Sequence, residues 1–286
     1  MTRMKHRRLF ILLLSTALLA SVIIKAQEPV APNGKFITAN AAKLYYEEYG
    51  QGEPLILLHG FGRTLEDWKS FIPEFSKYYR VIAWDMRGHG RSTNPDTSKV
   101  FLHATAANDL LALIQKLNLK KVKVIGHSSG GIVILYAATK EPDRFDAIVP
   151  ISAQLYYSSQ TRDFIKNNAK PESYYEFNEL EKQHGKTKGQ LIARQFYHFN
   201  ELYGDPSISP DQLSRIKARS LIVHGDNDFV PVAQAWEMYK NIPYAHLWIV
   251  PNGWHLPHVG ASNGTDFTSR TLEFLNGDWD KDGPNK

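Results

Sequence analysis

Ser128 sits in Gly126-His127-Ser128-Ser129-Gly130, directly behind the apolar run Val122-Lys123-Val124-Ile125 and directly before Gly131-Ile132-Val133-Ile134-Leu135. A G-x-S-x-G pattern between a strand and a helix describes a sharp, strained turn. It pushes the serine hydroxyl out of the sheet, and the flanking glycines let the strand and helix backbones approach without Cβ clashes. A serine hydroxyl is a poor nucleophile at neutral pH and needs a base within hydrogen-bond reach, with an acid to orient that base. Asp226 and Asp228 follow the apolar run Leu221-Ile222-Val223-His224, and His255 follows Leu247-Trp248-Ile249-Val250-Pro251. The order Ser128, Asp228, His255 is the serine, acid, histidine order of one particular sheet architecture. Asp226 competes with Asp228 and His258 with His255.

These groups must be carried to one place by strands. Residues 35–49 read as an antiparallel hairpin at a sheet edge, with aromatics in Lys43-Leu44-Tyr45-Tyr46-Glu47. Continuous apolar runs follow at 55–58, 81–84, 122–125, 147–151, 221–223 and 247–250, the pattern of parallel strands covered on both faces. Helical spacing alternates with them at 102–117, 132–138, 232–239 and 267–275. Thr64 with Asp67 suggests a capping-box variant opening a helix over 68–75. The fold class expected is α/β: a mostly parallel sheet with helices on both faces and ligands beyond the strand C-termini. Residues 155–217 break the alternation. They are too long for a plain loop and dense in aromatics (Tyr156, Tyr157, Tyr174, Tyr175, Phe177, Phe196, Tyr197, Phe199, Tyr203), which predicts a helical cap, most of its rings packing cap onto core and some facing the cleft below.

Together these pieces resemble the α/β-hydrolase superfamily in its capped, single-domain form, over nearly the whole chain after residue 26. The resemblance is carried by His59-Gly60-Phe61-Gly62, by Asp85-Met86-Arg87-Gly88-His89-Gly90-Arg91-Ser92, by the serine motif, by His224-Gly225-Asp226-Asn227-Asp228 with Val230-Pro231, and by Gly253-Trp254-His255. It implies an eight-stranded-type sheet divided as core 27–154, cap 155–217 and core 218–286. It implies Ser128 as nucleophile, His255 as base and then acid, and Asp228 as the residue that holds the imidazole, with Asp226 left as a turn former. Backbone N–H groups of Phe61 and Ser129 would hold the oxyanion, helped by the positive end of the helix that Ser129 opens. Phe61, His127 and Trp254 would line the substrate pocket; His59, His89 and Asp85 would fix turns. Two departures matter. The residue before the base is the bulky Trp254, which narrows or lines the pocket. Leu256 stands after the base, where carbon–carbon-cleaving relatives often place a tryptophan. A serine nucleophile argues against the carboxylate attack of haloalkane dehalogenases and epoxide hydrolases.

The 286-residue chain has 43% hydrophobic and 22% charged residues, enough apolar material for one sizeable core. Arg3, Lys5, Arg7 and Arg8 precede an uncharged, mostly apolar stretch over 9–24, and Ala26-Gln27 offers a small residue at a cleavage point. Residues 1–26 therefore read as a secretory signal peptide, directing the protein to the periplasm or medium, with an uncleaved membrane anchor as the alternative. The formal net charge of +5 resides in that leader, so no basic patch remains to bind nucleic acid. The absence of cysteine excludes disulfides, a thiol nucleophile and thiolate metal sites. No cofactor and no metal is expected: His255 and His258 lack further ligands at zinc-enzyme spacing, and no phosphate-cradling loop follows a strand. The function expected is hydrolysis of a small or medium carboxylic ester through an acyl-enzyme, since that makes the least demand on leaving-group protonation. An amidase or peptidase, a thioesterase, a C–C hydrolase and a cofactor-free perhydrolase could use the same residues, and a non-catalytic ligand-binding member of the fold is the rival outside enzymes.

Overall fold

The computed structural model describes residues 34–96, 100–170 and 177–280. Its eight strands are β1 Lys35–Ala39, β2 Ala42–Tyr49, β3 Glu53–Leu58, β4 Tyr79–Trp84, β5 Val122–His127, β6 Phe145–Ile151, β7 Arg219–Gly225 and β8 Ala245–Val250. They form one sheet in the order β1-β2-β4-β3-β5-β6-β7-β8. The hairpin β1/β2 and the pair β2/β4 are antiparallel, and every other pairing is parallel.

Side chains alternate across a strand, so each run feeds two cores. In β3, Ile56 and Leu58 join Val124, Leu110 and Ile134 on one face, while Leu55 and Leu57 join Ile125, Val149, Trp68 and Phe267 on the other. The first face is covered by α2 His103–Lys116, α3 Ser129–Lys140 and α8 Val232–Asn241, the second by α1 Ile72–Phe75 and α9 Ala261–Leu275. Each fully buried Leu or Ile contributes about 1.5–3 kcal/mol relative to exposure, which explains why uninterrupted apolar runs become the central strands. The last run departs from this pattern. In β8 only the end residues Ala245 and Val250 are buried, because it is the sheet's edge.

Between β6 and β7 the chain forms α4 Ser159–Asn168, α5 Phe177–His184, α6 Lys186–His198 and the short α7 Pro210–Leu213; α4 to α6 make an inserted helical subdomain over the sheet's C-terminal edge. The helix expected over 68–75 is split into a 3-10 turn, Leu65–Trp68, and the four-residue α1. Thr64 does cap the turn, its hydroxyl accepting from the Glu66 N–H at 3.3 Å. Asp67 does not complete the box, because Arg63 holds its carboxylate at 2.9–3.1 Å. The buried carboxylate of Asp85 accepts the Leu65 N–H at 2.9 Å and adds a tertiary anchor to the same turn. Among the described residues no helix is long and apolar enough to cross a membrane. The leader read over 1–26, and Tyr174 and Tyr175, lie outside the described residues.

Candidate active site

β5 lies between β3 and β6, at the centre of the parallel part of the sheet, and Ser128 is the first residue beyond it. Its backbone has φ 53° and ψ −118°, a conformation that costs a non-glycine residue on the order of 1–3 kcal/mol. The turn is imposed from both sides. A Cβ on Gly126 would stand 2.6 Å from the Gly130 carbonyl carbon, and one on Gly130 would stand 2.7 Å from the carbonyl oxygens of Leu58 and His59. Strand, elbow and helix can approach this closely only with glycine at both positions.

The Ser128 hydroxyl lies 2.9 Å from His255 Nε2. On the far side of the ring, Nδ1 donates to Asp228, at 2.9 Å from Oδ1 and 3.0 Å from Oδ2. Asp228 is a fully buried carboxylate that also accepts the Val230 N–H at 3.0 Å, while the His255 side chain keeps 23% of its exposure. The loop that delivers His255 is tied down by the two residues before Asp228. Asp226 accepts the Asn252 N–H at 2.7 Å, and the Asn227 side-chain oxygen accepts the Trp254 N–H at 2.8 Å. Asp226 thus does the backbone work expected of it, and Asp228 faces the imidazole. His258 is brought elsewhere. It is buried against Trp68, Phe71 and Phe267, and burial, helped by the nearby His255, lowers its pKa to about 3.

A cavity of about 530 Å³ opens above Ser128. Phe61, His127, Ser129 and Trp254 all line it. Neither the Phe61 nor the Ser129 N–H donates in any turn, loop or side-chain hydrogen bond among the described residues, so both remain available to an oxyanion. His127 is held neutral by burial, its pKa well below the usual imidazole value, and its Nε2–H donates to the His255 carbonyl oxygen at 2.7 Å. It braces His255 as well as lining the pocket. Of the cap aromatics, Tyr157, Phe196 and Phe199 reach the cavity, whereas Tyr156 and Tyr203 are solvent-exposed.

Several lining residues escape sequence reasoning. Phe229, directly after Asp228, packs on the His255 ring with centroids 4.3 Å apart, and Phe164 of α4 stacks on Phe229 at 4.1 Å and 2°. His255 therefore ends an aromatic column rooted in the cap. Gln154, Gln160 and Asn168 add amide groups. A phenylalanine beside a motif acid is visible in the sequence, but its partner, 65 residues earlier in the cap, carries no local signal.

A second Ser-His-Asp arrangement lies beneath the first. His103 Nε2 is 2.9 Å from the Ser129 hydroxyl, and its Nδ1 is 2.9 Å from Asp205 Oδ1. His103 is fully buried and does not line the cavity.

Comparison with known proteins agrees with this geometry. Residues 53–198 match the alpha/beta hydrolase fold family. The chain is 30% identical to the serine hydrolase BPHL of Homo sapiens, across 92% of this chain and 95% of that one. It is 27% identical to the 2-hydroxy-6-oxo-6-(2'-aminophenyl)hexa-2,4-dienoic acid hydrolase of Metapseudomonas resinovorans, across 84% and 90%. In fold it is similar to a meta-cleavage product hydrolase from Pseudomonas fluorescens IP01, with TM-score 0.67 and 21% identity over 85% of this chain and 97% of that one.

Proposed function

From the premise that this chain belongs to the alpha/beta hydrolase family, we propose that Ser128, His255 and Asp228 form the catalytic triad of a serine hydrolase. Its substrate is a ketone bearing an unsaturated or aromatic group, and the bond broken joins the carbonyl carbon to a carbon leaving group. What supports the triad is the continuous hydrogen-bonded chain from Asp228 through His255 to Ser128, opening into the cavity. The buried His103 chain has no comparable access to substrate.

In this mechanism Ser128 Oγ adds to the carbonyl carbon as His255 Nε2 takes its proton, and Asp228 stabilises the imidazolium. The Phe61 and Ser129 amides hold the oxyanion. Collapse breaks the bond to the leaving carbon, which departs as a delocalised carbanion and receives the proton from His255. One water then gives its proton to His255 and its hydroxide to the acyl-enzyme, releasing the carboxylic acid and restoring Ser128.

Carbon–carbon cleavage is the reading favoured by the relative from Metapseudomonas resinovorans, which aligns over most of both chains and is named for an aryl oxo-dienoic acid. The aromatic column and the rings of Tyr157, Phe196 and Phe199 suit a planar group, and Gln154, Gln160 and Asn168 suit its oxygens. A second reading, hydrolysis of an uncharged carboxylic ester, is favoured by Arg63. This arginine of the lining is clamped by Asp67 through three hydrogen bonds, which neutralises it toward a substrate carboxylate. Leu256 beside the base favours the same reading.

The test is a direct competition: loss of absorbance of an aryl oxo-dienoate against release of p-nitrophenol from esters of graded acyl length, beside fluorophosphonate labelling of wild type and Ser128→Ala. A higher kcat/KM on the dienoate supports carbon–carbon cleavage. Ester turnover alone gives the second reading, and no turnover with no labelling of folded protein overturns both. Export through the leader at residues 1–26 belongs to the same proposal; N-terminal sequencing of protein recovered outside the cytoplasm should find the chain beginning near Gln27.

A further inference from the structure

We infer that His103 and Asp205 are positioning residues for the oxyanion amide, coupling the chain returning from the cap to the electrostatics of the active site. This inference rests on the triad and oxyanion assignments above. Ser129 is the first residue of α3 and lines the cavity, and its hydroxyl is engaged by the buried His103. The hydrogen-bond order is set from the buried end. Asp205 Oδ2 accepts the Ala104 N–H at 3.1 Å and Oδ1 accepts from His103 Nδ1–H at 2.9 Å, which leaves Nε2 as the acceptor for the Ser129 hydroxyl. All three residues are nearly or fully buried: Ser129 at 4%, His103 at 0% and Asp205 at 6% exposure. A serine hydroxyl at a helix start ordinarily turns to bond nearby backbone groups. Here His103 holds it away from the amide, so the N–H stays free for a developing negative charge. The carboxylate comes from the segment between α6 and α7, at the first turn of α2, where the helix dipole favours it. Three segments far apart in sequence thus meet to fix one peptide group.

Because an oxyanion interaction is realised in the transition state, disturbing it lowers kcat and leaves KM in place. Ser129→Ala keeps the amide and removes only the hydroxyl. It should lower kcat about 10-fold, less than outright loss of an oxyanion donor, with KM within about twofold, and it should weaken a trifluoromethyl ketone that fills the hole by a similar factor. Asp205→Asn should lower kcat in wild type but add little on top of Ser129→Ala, since both act through one chain. Wild-type kcat and ketone affinity in Ser129→Ala, or fully multiplicative effects of the two substitutions, would overturn the inference; if Asp205→Asn fails to fold, Ser129→Ala decides alone. Peptide mapping of the fluorophosphonate adduct separates the two proposals. An adduct on Ser129 would make this chain a nucleophilic triad and overturn both, whereas an adduct on Ser128 with an unaffected Ser129→Ala variant overturns only the positioning role.

Discussion

The imidazole of His184, carried by α5 of the cap, donates from Nε2 to the carbonyl oxygen of Gly62, the residue after Phe61, at 3.0 Å. Its Nδ1 accepts the Gly90 N–H at 2.8 Å, which sets the tautomer. The Gly62 N–H is taken by His89 Nε2 at 3.0 Å, while His89 Nδ1–H donates to the Arg87 carbonyl oxygen. Two buried, neutral imidazoles therefore hold both polar groups of one residue, one from the core and one from the cap. The loop carrying the Phe61 amide is preorganised by that clamp, which is what transition-state stabilisation by fixed dipoles requires.

Replacing Ser128 should separate catalysis from stability. Ser128→Ala is expected to lower kcat by on the order of 10⁴. Ser128→Gly should be equally inactive yet more stable than the alanine variant by about 1 kcal/mol, because glycine accepts φ 53° without strain. Urea unfolding of the two variants, with equal slopes, checks the difference.

The two aspartates of one loop should part company. Asp228→Asn removes the charge that steadies the imidazolium and should cost about 10⁴ in kcat. Asp226→Ala removes a single loop anchor, the acceptor for the Asn252 N–H, and should cost less than about 10-fold. Comparable losses in steady-state kinetics would move the orienting role away from Asp228.

Stability should decline on the acid side through histidines that the fold keeps neutral. Burial lowers His184 to about 4 and His258 to about 3, whereas an unfolded chain protonates both near 6.5. Between those values the unfolded state binds more protons. The contribution is thus complete above about pH 6.5 and is lost as pH falls, at up to ~1.4 kcal/mol per unit for each ring, until about pH 4 for His184 and 3 for His258. Urea midpoints from pH 7 to 5 should fall accordingly. His184→Gln, which can still donate to Gly62, should flatten part of the slope.

Removing the aromatic column should affect the base without breaking its hydrogen bonds. Phe164→Ala leaves Phe229 unsupported above His255 and should raise KM for aryl-bearing substrates by about 2- to 10-fold, the scale of one lost aromatic contact of ~0.5–1.5 kcal/mol. Short aliphatic substrates should change little, and kinetics on both classes read the contrast.

Residue types and order were enough to bring Ser128, Asp228 and His255 forward as one group, because each follows a strand of the sheet and such strands announce themselves as apolar runs. They were enough for the fold class too, including the hairpin edge, since a run fed to two cores has little choice but a sheet covered on both faces. Local spacing was misleading where another side chain competed. Asp67 sits at capping spacing after Thr64 yet pairs with the neighbouring Arg63. The cap's work was decided only in three dimensions. Phe164 on Phe229, His184 on Gly62 and Asp205 on His103 join residues 65 to 122 positions apart. No periodicity encodes such pairs. They exist because the folded sheet brings strand ends and cap onto one cavity, where buried polar groups must find partners.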